Sequence, residues 1–194
     1  MGLLRAFLAS ELPSPLQDAI QTATSSLRKT LGDDLVRWVP PHNVHLTLKF
    51  LGDVSPSSLD LVKQMLTTEA SQVQPFEVQV EGLGSYPNSR RARVLWVGLT
   101  APGALAALQH SIEAAAARLG FGADERDYSP HLTIGRVRQN VSVTEQQKIR
   151  TALEETQIGN LGSVQVDAVH LYKSDLQPTG SIYTKLFTAP LLKT

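Results

Sequence analysis

The sequence predicts an α+β fold in which two similar lobes flank a shared cleft. Apolar and polar residues alternate around residue 45, and a period of two is typical of a half-buried strand. This strand contains His45 and Thr47, and the same His-x-Thr pair returns at His131 and Thr133, nearly half the chain later. In each half we expect the order strand, helix, motif strand, helix, strand, with the motif strand facing the cleft.

The first half is predicted to begin with a strand over residues 1–9, because this apolar run is too short for a signal sequence. Ser14 and Pro15 predict the start of a helix, with Ser14 as N-cap and Pro15 at the first helical position. Gly32 is a suitable residue to end that helix. Residues 38–43 form a stiff, proline-containing approach to the first motif strand.

Turn-forming residues separate the later elements of this half. Residues 52–53 are predicted to end the motif strand, and residues 55–70 form a second helix. A strand follows at 75–83, where apolar residues again alternate, and residues 82–88 are predicted as a loop.

The second half repeats this order. Besides the second motif strand, its strands are predicted at 93–99, 164–172 and 181–187, and its helices at 103–120 and 143–156. Thr144 is the candidate N-cap of the last helix, and residues 178–180 form the turn between the last two strands. We place the lobe boundary near residues 84–91, so that the single domain 1–194 consists of lobes 1–88 and 89–194.

The composition argues against several classes of protein. The 18 Lys and Arg residues balance 18 Asp and Glu residues, so no overall charge favours long nucleic acid or an anionic membrane. No cysteine is present, which excludes disulfides, thiolate catalysis and cysteine-ligated zinc. No apolar run reaches the length of about 18 residues that predicts a membrane span. We expect a monomer in the cytoplasm that binds a small ligand or a chain end.

The duplicated histidines are the strongest functional signal. A single His beside Thr on a strand is usually an ordinary surface or core residue, whereas two matching pairs favour catalysis by His45 and His131. A metal site is rejected, since His42 and His45 lie on opposite faces of a strand and no third ligand is identified. His110 and His170 stay outside the predicted site.

The motifs and their flanks resemble the 2H phosphoesterases, a family named for two His-x-Thr motifs. The closer resemblance is to the RNA 2′,3′-cyclic phosphodiesterases, which were once called 2′-5′ RNA ligases. The resemblance extends over nearly the whole chain and is carried by residues 5–9, 38–40, 43–52, 93–96, 128–136 and 174–183.

The resemblance implies a bilobal fold with two antiparallel sheets that flank a central cleft, helices outside, and a pseudo-twofold internal duplication. It also implies metal-independent opening of a 2′,3′-cyclic phosphate to a 2′-phosphomonoester, without a cofactor. By the same resemblance His45 is the proton donor and His131 the proton acceptor, and the partner is an RNA with a cyclic phosphate end or a small cyclic nucleotide.

The residue types suit this chemistry. Two imidazoles with an ordinary pKa of about 6.5 can hold opposite protonation states near neutral pH, so one can donate a proton while the other accepts one. Thr47 and Thr133 can donate hydrogen bonds to the non-bridging phosphate oxygens. Arg136 can neutralise charge, provided that a bulge at Gly135 turns it to the same face as His131.

Aromatic residues are the candidates for contact with a base. Phe7 and Phe50 offer stacking faces, and Tyr128 or Tyr183 offers a hydroxyl group at the rim, with packing in the core as the alternative for each. The densest basic cluster, residues 90–93, either contacts an RNA backbone or is a solvated turn.

Two other functions remain open at this point. Ligation is the same reaction in reverse, and a non-catalytic nucleotide-binding or RNA-end-binding module of the same fold is the alternative from another class. The physiological substrate also stays open among tRNA fragments, a nucleotide metabolite and a 2′-5′ linkage.

Overall fold

The computed structural model describes residues 2–124, 127–178 and 180–192, and confirms an α+β fold. The strands in these ranges are β1 (Leu4–Glu11), β2 (Val36–Trp38), β3 (His45–Val54), β4 (Phe76–Tyr86), β5 (Val94–Thr100), β6 (His131–Val137), β7 (Ser163–Val166), β8 (Ala168–Gln177) and β9 (Gly180–Pro190). The helices are α1 (Ser14–Ala23), α2 (Ser25–Leu35), α3 (Leu59–Ala70), α4 (Gly103–Arg118) and α5 (Val143–Glu155).

The sheet consists of two antiparallel halves that meet at the motif strands. The order is β7-β4-β5-β6 in one half and β3-β1-β8-β9 in the other, with the short β2 also paired to β6. The halves are joined by a single register pair between β3 and β6, Leu46 with Leu132. These halves correspond to the two antiparallel sheets implied by the resemblance, although the hydrogen-bonded order is continuous.

The two halves of the sheet exchange strands relative to the order of the chain. β4 precedes residue 88 but pairs with β5 and β7, and β8 follows that residue but pairs with β1. A division of the chain near residue 88 therefore separates the two repeated units of the sequence. It does not separate the two halves of the sheet, because each half contains strands from both units.

The two faces of the sheet have different surroundings. One face and the buried residues of the helices form the main hydrophobic core, whose members extend from Ala6 to Leu191. On the other face, Phe7, Ala9 and Tyr172 form a small separate cluster with Tyr183 against it. This second face lines the cleft. Within the described ranges, no helix is long and apolar enough to cross a membrane.

The predicted helices are present, with corrections at their ends. The first is broken into α1 and α2 at Thr24, whose hydroxyl group donates to the carbonyl of Ile20 at 2.8 Å. Gly32 has a φ of 63° and interrupts the regular helix, as expected of a terminating residue. Other residues replace the predicted N-caps Ser14 and Thr144: Pro13 precedes α1 without a side-chain cap, and Ser142 forms a capping box with Glu145 at α5.

Several strand boundaries were wrong because glycines do not end strands here. β3 continues through Gly52 to Val54, and β4 continues through Gly82 and Gly84 to Tyr86, since each segment keeps an antiparallel partner. The predicted strand at 164–172 is divided into β7 and β8, and β2 was not predicted at all. Of the predicted turn at 178–180, Thr179 lies outside the described residues.

Candidate active site

The single register pair between β3 and β6 brings the two His-x-Thr motifs together. Leu46 lies opposite Leu132, and both side chains are buried in the core. In an antiparallel pair, this register places His45 across from Thr133, and Thr47 across from His131. Because alternate residues share a face, all four polar side chains point away from the core, into the cleft.

The ring of His45 is held by a backbone contact and by aromatic packing. Its Nδ1 lies 2.7 Å from the carbonyl oxygen of Asn43. Phe7 stacks on the imidazole with ring centroids 4.8 Å apart, and Tyr183 meets it edge-on at 5.3 Å.

His131 is held in the same way from the other half. Its Nδ1 lies 2.8 Å from the carbonyl oxygen of Ser129, also two residues earlier in the chain. Tyr86 meets the ring edge-on at 5.0 Å and donates its hydroxyl hydrogen to the Ser129 side chain at 2.7 Å.

These contacts fix the tautomer of both histidines. A carbonyl oxygen only accepts hydrogen bonds, so Nδ1 carries a hydrogen in His45 and in His131. Nε2 is then the atom that gains or loses a proton in each ring. One such ring in its charged form donates a proton, and the other in its neutral form accepts one, which is the requirement for paired acid and base catalysis.

A bulge follows the motif in both strands, at equivalent positions. The pairing with β5 skips Ile134, and the pairing with β1 skips Leu48. The first bulge turns Arg136 outward to the cleft, as the sequence predicted from Gly135. The second turns Phe50 outward, where it is 56% exposed.

Glycine is required at the β6 bulge because β2 passes close to it. A Cβ atom at Gly135 would lie 2.6 Å from Cγ1 of Val36 and 3.0 Å from the ring of Trp38. Any larger residue at this bulge would collide with β2, so the close packing of β2 on the bulge depends on this glycine.

The β3 bulge turns Lys49 into the interior, which the alternation in the sequence did not predict. Its side chain is 1% exposed, and Nζ lies 2.7 Å from both Glu113 Oε1 and the carbonyl oxygen of Gly122. Asp124 is a further partner at 3.4 Å. The ion pair links β3 to α4 and to the segment that precedes the second motif.

Burial lowers the pKa of His45 below its ordinary value, and the positive charges of Arg136 and His131 lower it further. The hydrogen bond to the Asn43 carbonyl acts in the opposite direction but does not outweigh burial. His45 therefore loses its proton more readily than a free imidazole.

Two of the predicted base contacts have structural partners instead. Phe7 is 3% exposed, because β1 lies between β3 and β8 and the rings of His45 and Tyr172 stack against it from these two strands. No face of Phe7 is left for a base. The hydroxyl group of Tyr128 donates to the Thr47 carbonyl at 3.0 Å, and burial raises its pKa.

Three cavities open around the motif residues. Phe50 and Arg136 line one cavity of about 340 Å³. His45 lines a second of about 410 Å³, and Thr47 and His131 line a third of about 640 Å³. The arginines of the basic cluster, Arg90, Arg91 and Arg93, are exposed and line none of these three cavities. In the ranges that the structure describes, no three His, Cys, Asp or Glu residues are grouped as a metal site.

The structure also shows a polar cluster that the sequence did not reveal. Glu11 accepts hydrogen bonds from Tyr172 and Lys185, and His170 Nε2 lies 3.6 Å from the same carboxylate. These residues come from three strands, so no sequence spacing connects them. His170 also contacts the Thr188 hydroxyl group at 2.9 Å, so it has partners although it lies outside the motif.

Comparison with known proteins identifies similar sequences and similar folds. Residues 12–178 match the family described as the 2′-5′ RNA ligase superfamily. An RNA 2′,3′-cyclic phosphodiesterase of Methanothermobacter thermautotrophicus is 37% identical over 94% of this chain and 96% of its own. The crystal structure of TT0787 of Thermus thermophilus superposes with a TM-score of 0.80 at 26% identity, covering 96% of this chain and 97% of that one. E. coli LigT complexed with 3′-AMP gives 0.76 at 25% identity, covering 98% and 99%.

Proposed function

This chain belongs to the 2′-5′ RNA ligase superfamily, and we propose that it hydrolyses the 2′,3′-cyclic phosphate of an RNA end or a nucleotide. The observation that carries the proposal is the pairing of Leu46 with Leu132, which sets two oriented histidines and two threonines on one face of the cleft. The relative from Methanothermobacter thermautotrophicus, named for this activity, supports it.

The proposed reaction needs one proton removed and one proton delivered. His131 Nε2 takes a proton from water as the water oxygen attacks phosphorus. The bond from phosphorus to the 3′-oxygen breaks, and His45 Nε2 protonates that oxygen, which leaves a 2′-phosphomonoester. Each proton transfer contributes about 10²- to 10⁴-fold to the rate.

The remaining polar residues stabilise the charge that builds on phosphorus. The hydroxyl groups of Thr47 and Thr133 donate hydrogen bonds to the non-bridging oxygens, and the guanidinium group of Arg136 adds a positive charge. None of these roles requires a metal ion. Activity should therefore survive exhaustive dialysis against a chelator, and recovery only on addition of Zn²⁺ or Mn²⁺ would contradict the mechanism.

The lowered pKa of His45 makes the pH dependence informative. The lowered pKa favours the neutral form of His45 in the free enzyme, whereas the negative charge of a bound phosphate favours the protonated imidazole that a proton donor needs. We expect bell-shaped profiles whose limbs in kcat lie at higher pH than those in kcat/KM. The limbs report macroscopic constants of the histidine pair. A rate that only rises with pH would remove the proton donor from the mechanism.

The deciding experiment is a turnover assay with a nucleoside 2′,3′-cyclic phosphate, followed by phosphorus NMR of the product. A 2′-phosphate is expected, whereas a 3′-phosphate or a mixture would mean that the substrate binds the other way round. Binding without turnover would favour a non-catalytic module. Parallel reactions with cyclic-phosphate-ended RNA and with a 2′-5′-linked oligonucleotide test hydrolysis against ligation.

We further propose that the protein acts as a monomer in the cytoplasm. The absence of cysteine from the sequence suits a reducing compartment. Light scattering coupled to size exclusion tests the monomer directly, since a dimer would have twice the 21.1 kDa mass.

A further inference from the structure

We propose that the 340 Å³ cavity holds a second phosphate at Arg5, so that the enzyme prefers a cyclic phosphate end that continues into an RNA chain over a bare nucleoside cyclic phosphate. This inference rests on the proposed function and adds to it a substrate class and a binding residue. It starts from the two arginines, Arg5 and Arg136, that line this cavity.

Arg5 and Arg136 are exposed residues, and neither forms an ion pair within the part of the chain that the structure describes. Among the described residues that line their cavity, none is Asp or Glu. Asp53 lies opposite Arg5 in the register of β1 and β3, yet the two side chains form no ion pair. Two cations that share a cavity, with no carboxylate among its described lining residues, suit a ligand with two negative charges.

The position of Arg5 follows from the regular alternation of β1. Phe7 faces the cleft, so Arg5, two residues earlier, faces the cleft as well, about 7 Å further along the strand. Phe7 is paired in register with Phe50, whose ring lies 6.1 Å away. Relative to Phe50, Arg5 therefore lies on the side away from the catalytic histidines. Arg136 lies on the same side of Phe50 as the histidines.

The wall between the two arginines is suited to a nucleoside. Phe50 and Leu176 are large apolar side chains that line the same cavity and remain 56% and 64% exposed. Exposed apolar side chains in a cavity commonly mark a ligand site, and an aromatic ring offers a face to any base. The hydroxyl groups of Ser174 and Ser181 complete this wall.

A terminal nucleotide placed along this wall spans the distance between the positive charges of Arg136 and Arg5. Its cyclic phosphate lies beside the histidines and Arg136, its ribose and base lie against Phe50, and its 5′-oxygen points away from the reacting phosphorus. The phosphodiester on that oxygen is the next negative charge of an RNA chain, and Arg5 is the next cation in the cavity. A bare nucleoside cyclic phosphate leaves Arg5 without a partner.

The test compares two substrates that differ only in whether the 5′-oxygen carries a phosphodiester group. One is adenosine 2′,3′-cyclic phosphate, and the other carries a 5′-methyl phosphate, which has the single charge of a phosphodiester. For the wild-type protein, we expect kcat/KM to be about tenfold higher with the methyl phosphate, chiefly through a lower KM, as for one charge-assisted contact.

Variants at two arginines locate the effect. Arg5→Met should bring the ratio of the two kcat/KM values close to one, and Arg5→Lys should keep part of it. Arg37→Met is the matched control, because Arg37 lies opposite Arg136 in register but does not line the cavity. Its ratio should stay at the wild-type value.

The outcomes separate this inference from the proposed function. Hydrolysis of neither substrate contradicts the proposed function itself. Hydrolysis of both substrates with equal kcat/KM contradicts only the second phosphate site. A ratio that falls equally in Arg5→Met and Arg37→Met would show that the general positive field, and not a contact at Arg5, produces the preference.

Discussion

The two motif strands begin alike and then differ. Both place a histidine, a buried leucine and a threonine in the same order, and both bulge at the next residue. After the bulge, β3 turns Lys49 inward and Phe50 toward the cleft. At the equivalent positions β6 has Gly135 inside and Arg136 outside.

The difference shows how a repeated unit can serve a substrate that is not symmetric. In the proposed reaction both histidines transfer a proton, one as donor and the other as acceptor, so the repeated part of the two strands serves both roles. A nucleotide has an apolar base on one side and a charged phosphate on the other, and the residues after the two bulges match this division. Phe50 offers a ring, and Arg136 offers a charge.

The comparison predicts that loss of either histidine has the largest effect. His45→Ala and His131→Ala should each lower kcat at least about a hundredfold, because each removes one of two coupled proton transfers. The double variant should be little worse than either single variant. Rates come from steady-state assays, with circular dichroism to confirm the fold. Near wild-type turnover in one variant would show that the two strands are not functional equals.

The next largest effect is expected on stability, from the residue that the β3 bulge turns into the interior. Lys49→Met leaves the Glu113 carboxylate without its buried partner and should lower the free energy of unfolding by about 3 kcal/mol. Lys63→Met is the matched control, since its ion pair with Asp60 lies on the surface and contributes less than about 1 kcal/mol. Urea denaturation measures both losses, and equal small losses would mean that β3 gains nothing from the buried ion pair.

The outward positions should separate into effects on kcat and on KM. Arg136→Met should lower kcat by roughly tenfold or more, because its charge is needed as negative charge builds on phosphorus. Phe50→Ala should instead raise KM by roughly tenfold, the size of one lost stacking contact, with kcat nearly kept. If both variants changed the same constant, the division between base and phosphate would be wrong.

The smallest effect concerns acid stability. Burial lowers the pKa of His45 and of His170, so the folded protein binds protons less readily than the unfolded chain. The resulting stability is present above the ordinary value of about 6.5 and is lost as the pH falls through the lowered folded pKa. His45→Gln should reduce the loss in unfolding free energy between pH 7.5 and 5, whereas His110→Gln, on the exposed face of α4, should leave it unchanged.

The positions of the motif residues were more predictable from the sequence than the residues that hold them in place. The repeated motif located both histidines, and Gly135 signalled the bulge that turns Arg136. The equivalent bulge at Leu48 has no glycine to mark it, so simple alternation did not predict that Lys49 turns into the interior. Comparing the two motifs residue by residue would have transferred the bulge from one strand to the other.

Strand partners could not be read from the sequence, because pairing depends on residues far apart in the chain. The alternation in β4 and β8 indicates strands but does not indicate which neighbours they choose. The Glu11, Tyr172 and Lys185 cluster has the same origin, since its members meet only when β1, β8 and β9 are adjacent.

The exchange of strands between the halves has a consequence for how the chain folds. Ala6 of β1 pairs with Lys173 of β8, so β1 cannot complete its pairing until residue 173 has left the ribosome. Such distant contacts require closure of a long loop and slow the folding of a domain. An isolated fragment of residues 1–88 would leave β1 with an open edge and β4 without β5. The repeat in the sequence is therefore not a unit of folding.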